Sequence, residues 1–111
     1  MKLVTEELAD GITRIALEGR LDVDGAEFAD LQVNAIAEHR NRILLDLEKV
    51  SYIGSRGLHT LVKPARTVQE RGGKIVFYAP SKLVEKVLRI SKVDAFFPIH
   101  HDLLSATNAL R

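Results

Sequence analysis

The sequence predicts a single mixed α/β domain, in which a central β-sheet opens with an antiparallel N-terminal hairpin and carries about four helices. Three observations predict it. Apolar runs with strand character alternate along the chain with segments of helical apolar spacing, the order expected of parallel strands joined by crossovers. The first two strand-like runs are instead separated by Ala9-Asp10-Gly11, and the Asp-Gly step suits a tight hairpin turn because glycine accepts positive φ. At Ser55 the apolar period changes abruptly. Before it, Ile43-Leu44-Leu45-Asp46-Leu47 and Val50-Ser51-Tyr52-Ile53 run as a buried strand and its exit, and after it Leu58, Leu61, Val62, Ala65 and Val68 mark one face of a helix.

Lys2 to Leu8 reads as the first strand and Ile12 to Leu17 as the second, ended by Gly19 and Arg20. A helix begins near Asp24, with Phe28, Leu31, Ala35 and Ile36 expected inside and Glu27, Asp30, Asn34 and Glu38 outside. After the polar break His39 to Asn41, Arg42 to Leu47 is apolar enough for the interior of a sheet, and Glu48 to Ile53 reads as a connection. The next helix runs from about Arg56 to Glu70 with Pro64 inside it, and Arg71-Gly72-Gly73 closes it. Lys74 to Tyr78 is a strand. Ser81 caps a third helix with Leu83, Val84, Val87 and Leu88 inward, Phe96 to Ile99 is a short extended piece, and Asp102 to Leu110 is a last helix.

Composition narrows the function. The 111 residues suit one core, and 46% hydrophobic against 28% charged residues is an ordinary globular balance. Sixteen basic and fifteen acidic residues leave a net charge of +1, without the clustered basic excess of a nucleic-acid binder. Two tyrosines, four phenylalanines and no tryptophan offer little stacking surface. No apolar run is long enough to span a bilayer, and the N-terminus lacks a signal-peptide core. The absence of cysteine excludes disulfides and thiolate chemistry and points to a cytoplasmic setting. The four histidines form no His-x3-His or Glu-x2-His pair, so neither a metal nor a cofactor is expected.

Ser55 is the first candidate site. A hydroxyl where a strand passes into a helix suits three roles: helix cap, part of an anion site, or acceptor of a phosphate that faces the positive end of the helix, with Arg56 nearby. Asp22 is the second, as a turn residue or helix cap, or as a partner contact near Ser55 at the same end of the sheet. His59 lies one helical turn beyond Ser55, but Gly54-Ser55-Arg56-Gly57 lacks the nucleophile elbow of a serine hydrolase, so no enzymatic activity is expected.

The run Val50-Ser51-Tyr52-Ile53-Gly54-Ser55-Arg56-Gly57-Leu58, with the strand before it, resembles the signature of STAS domains, the family of bacterial anti-sigma-factor antagonists. Gly19-Arg20-Leu21-Asp22 and Gly72-Gly73-Lys74 agree with it, and the likeness covers nearly the whole chain, residues 1–111. The resemblance implies a non-enzymatic partner-switching protein in transcriptional signalling. Its unphosphorylated form would bind a serine kinase that doubles as the anti-sigma factor. That kinase would phosphorylate Ser55, and a PP2C-type phosphatase would reverse the step. The implied docking residues are Asp22, Gly54, Ser55, Arg56, Gly57 and His59, on a monomer or weak dimer. Two positions depart from the pattern: Gly54 stands where an aspartate is common, and Arg56 where a small hydroxyl residue is. They motivate the alternative of a non-phosphorylated STAS adaptor or ligand-binding module in a signalling or lipid-transport assembly.

Overall fold

A computed structural model describes all 111 residues. Strands β1 (Lys2–Glu7), β2 (Thr13–Leu21), β3 (Arg42–Ile53), β4 (Lys74–Tyr78) and β5 (Ile99–His100) form one sheet in the order β1-β2-β3-β4-β5. β1 and β2 are antiparallel, and every later pair is parallel. The hairpin turn is the expected one: Asp10 (φ 64°) and Gly11 (φ 71°) both adopt the left-handed conformation such turns demand.

Helices α1 (Val23–Ala37), α2 (Ser55–Glu70) and α3 (Lys82–Ile90) cover one face of the sheet, where Ile15, Leu45, Leu47 and Phe77 meet Val33, Leu61, Val68 and Leu88 in the main core. Helix α4 (Leu103–Leu110) covers part of the other face, packing Ala106 and Leu110 on Ile12, Leu44 and Val76. No helix is long and apolar enough to cross a membrane. Ser81 caps α3 by accepting from the Val84 N–H, as its position predicts. Asp102 caps α4 in the same way through the Ser105 N–H.

Three sequence expectations are corrected. In α1 the buried residues are Gly25, Ala26, Ala29, Val33 and Ala37, whereas Phe28, Leu31 and Ala35 are exposed, Leu31 at 81%. The inner stripe is helical in period but made of small side chains, because α1 lies close to its neighbours. Leu83 of α3 likewise faces solvent. Finally, β3 does not stop at Leu47. It continues through Glu48–Ile53, paired with Glu18–Leu21 of a β2 that is also longer than expected, across two register shifts.

The extension brings β2 and β3 to a common end, with Leu21 opposite Ile53, so that α1 and α2 start side by side.

Candidate functional site

The common end of β2 and β3 holds most of the residues singled out by sequence. The Gly54 N–H donates to the Leu21 carbonyl at 3.1 Å, which sets Asp22 and Ser55 at neighbouring helix starts. Gly57 permits this approach. A Cβ there would lie 2.2 Å from the Leu21 carbonyl oxygen, so any side chain would push the first turn of α2 off the strand end. Gly57 is itself buried, and its contribution is to position the site.

Asp22 is the N-cap of α1. Its Oδ1 accepts from the Gly25 N–H at 2.9 Å, and its Oδ2 accepts from Arg20 Nε at 3.4 Å. The Gly25 bond, together with Arg20, holds the carboxyl below its ordinary range despite an opposing desolvation effect. The Arg20 guanidinium lies 4.3 Å from the centre of the Tyr52 ring, the residue paired with it across the strands. Asp22→Ala is expected to lower the melting temperature while leaving the far-UV spectrum native, because it uncaps one helix without touching the core.

Ser55 does not cap α2. Gly54 occupies the cap position, and Ser55 is the first helical residue, exposed, its hydroxyl free of hydrogen bonds. The N–H groups of this first turn lack intrahelical acceptors, and the helix dipole is positive here. The local field therefore favours an anion on the Ser55 oxygen.

Arg56 turns away from that oxygen. Its guanidinium pairs with Asp30 of α1, whose other oxygen accepts from Thr60 Oγ1 at 2.6 Å, and Arg56 also donates to Thr60 at 3.3 Å. This cluster ties α1 to α2 just behind Ser55. Burial acts to raise the Asp30 carboxyl, but the Arg56 and Thr60 hydrogen bonds outweigh it and hold the group below its ordinary range. The sequence placed Asp30 outside, and a contact between residues 26 positions apart leaves no signature in local spacing.

A depressed carboxyl contributes stability that is fully present above its unfolded value, about 3.9, and lost as pH falls through the lower folded value. Asp30→Asn should therefore flatten the fall in melting temperature between neutral pH and pH 3. An unchanged slope would remove Asp30 from the acid response.

His59 is exposed one turn past Ser55 and makes no hydrogen bond to it. It lines an open groove of about 720 Å³ between α1 and α2, together with Asp30, Leu31, Asn34 and Lys63. Gly54 is in ordinary extended backbone (φ −107°), and a Cβ there would meet only the Tyr52 ring and hydroxyl, at 3.2–3.6 Å. No cluster of three or more metal-ligating side chains is present.

Known proteins share this architecture. The STAS domain model matches residues 4–106. BtrV of Bordetella bronchiseptica, provisionally named an anti-sigma factor antagonist, is 27% identical over 112 residues, covering 100% of this chain and 96% of its own. An anti-sigma factor antagonist from Mycobacterium paratuberculosis has a similar structure, with TM-score 0.88 and 22% identity over 99% of this chain and 93% of that one. The Bacillus cell fate determinant SpoIIAA in its phosphorylated form superposes with TM-score 0.75 at 19% identity, over 99% of this chain and 100% of that one. The chain belongs to the STAS domain family.

Proposed function

We propose that this protein is a phosphorylation-controlled anti-sigma-factor antagonist that docks on a serine kinase acting as the anti-sigma factor. The observation that carries the reading is the exposed, unbonded hydroxyl of Ser55 at the first turn of α2, beside the Asp22 cap of α1. A kinase can reach that oxygen without rearrangement of the fold. Arg56, committed to Asp30, does not cover it. The similarity to BtrV and to SpoIIAA, one form of which is phosphorylated, supports the same reading.

The physical switch is charge. A phosphate on Ser55 adds about −1.5 to −2 next to Asp22, on a protein whose net charge is +1. The modified oxygen stays compatible with the helix start, so the fold persists while an apolar or acidic docking surface is repelled. The docking face comprises Asp22, Gly54, Ser55, Arg56 and His59, with Gly57 holding it in shape. A PP2C-type phosphatase returns the protein to its binding form.

Incubation with the cognate kinase and ATP should add one phosphate by intact mass, and none to Ser55→Ala. Ser55→Asp should weaken kinase binding by at least about tenfold, or roughly 1.4 kcal/mol, whereas Ser55→Ala should bind as the parent does. Phosphate still added to the alanine variant would end this reading.

A further inference from the structure

A second groove lies between α2 and the segment joining α3 to β5, with a volume of about 370 Å³. Its apolar lining is Val62, Val93, Phe96 and Phe97, and its rim carries Arg66 and Lys92. Arg66 is eleven residues beyond Ser55, about 16 Å along the helix axis, so this groove is separate from the switch.

The floor is rigid. Phe97 is buried and stacks in a tilted pair with Phe77 of the sheet, ring centres 5.8 Å apart, and Val93 is buried beside it. The wall is open: Phe96 is 70% exposed although its carbonyl is fixed by Gln69 Nε2 at 2.8 Å. Phe96 thereby joins Val62 in a continuous apolar wall along the groove.

The charge is equally unmatched. Arg66 and Lys92 take part in none of the molecule's ion pairs, while the neighbouring Arg89 is held by Glu85 and Asp94. Lys92 stands at the end of α3 in a left-handed conformation (φ 61°, ψ 21°), which non-glycine residues seldom hold. Two free cations thus border an apolar slot, and the slot is of a size that accepts one small molecule, since such sites run from about 300 to 1,000 Å³.

We propose that this groove binds a small amphipathic anion: one apolar chain lying on Val62, Val93, Phe96 and Phe97, with its anionic head held between Arg66 and Lys92. Charge complementarity selects the head, and the closed floor limits the chain to a single small molecule.

The test uses the full chain and decanoate, kept below its micelle concentration, monitored through amide chemical shifts. Saturable shifts confined to Val62, Arg66, Lys92, Val93 and Phe96 are expected. Decanol and decylamine should bind at least about fivefold more weakly, because each lacks the anionic head. The double variant Arg66→Glu, Lys92→Glu should lose decanoate affinity about tenfold with an unchanged melting temperature. Phe96→Ser should weaken decanoate and decanol alike. Absence of saturation, equal binding of decanol, or retained affinity in the charge-reversed variant would overturn the proposal. So would concentration-dependent dimerisation that shifts the same residues, or a response to an acidic leucine-rich peptide with none to decanoate, since either assigns the groove to a protein surface.

Discussion

Gly57→Ala is expected to lower the unfolding free energy by about 3 kcal/mol, a large effect for the addition of one methyl group. The added Cβ would sit 2.2 Å from the Leu21 carbonyl oxygen, 2.8 Å from the Leu21 Cβ and 2.9 Å from its carbonyl carbon. Two of these are backbone atoms and none belongs to the far end of a flexible side chain, so the whole first turn of α2 must move. That movement stretches the bond from Gly54 N–H to Leu21 O and separates Ser55 from Asp22. The better helix propensity of alanine, worth about 1 kcal/mol, cannot offset it. Gly54→Ala is the control. Its Cβ meets only the Tyr52 side chain, and it should cost no more than about 1 kcal/mol. Denaturant midpoints at constant m-value measure both. Equal, small losses in the two variants would mean that the strand ends and the helix start have room to separate.

The legibility of this fold in its sequence depends on the size of the side chains that carry each element. Helix α2 was readable nearly to the residue because Leu61, Ala65 and Val68 bury while Lys63, Arg66 and Gln69 do not. Helix α1 was readable as a helix but not in phase. Its buried stripe is Ala26, Ala29, Val33 and Ala37, and the larger Phe28 and Leu31, which dominate any hydrophobic count, point outward. The second half of β3 is hidden in the sequence for a related reason. Glu48 and Lys49 sit where the register shifts, so the apolar alternation breaks although the pairing continues. Of the candidate site, the placement of Ser55 and Asp22 at helix starts is legible, because residues at the junction of a strand and a helix leave a local signature. The tie from Arg56 to Asp30 is not, because it depends on how α1 and α2 pack, which neither segment encodes alone.

Asp46 exposes a further limit of local reading, and it carries the second large prediction. In sequence it interrupts an apolar strand; in the fold its side chain is only 6% exposed, on the sheet face that α4 leaves partly open. Oδ2 accepts from Arg14 Nε at 3.1 Å and Nη2 at 2.8 Å, a two-pronged pair across β2 and β3, and Oδ1 accepts from the Glu48 N–H at 2.9 Å. The carboxylate therefore pins β3 where its register against β2 shifts, upstream of the strand end that positions Ser55. The two partners are unequally buried. Arg14 is 29% exposed and also pairs with Glu6, so it can fall back on water and that second carboxylate. Asp46 has no such recourse. Arg14→Leu should accordingly cost about 3–4 kcal/mol, because it leaves a buried carboxylate with one backbone donor. Asp46→Leu should cost less, about 2 kcal/mol. The double variant should recover to within about 1 kcal/mol of the parent, since apolar replacements of a buried pair remove the desolvation penalty along with the attraction. Asp46→Asn separates the two roles, keeping an acceptor for the Glu48 N–H while removing the charge. Urea unfolding of the parent, the two leucine variants and their double variant completes a double-mutant cycle, with Asp46→Asn measured beside it. Additive losses in the double variant would show that Arg14 and Asp46 act independently and not as a pair, and a larger loss from Asp46→Leu than from Arg14→Leu would show that the carboxylate holds β3 chiefly through the Glu48 N–H.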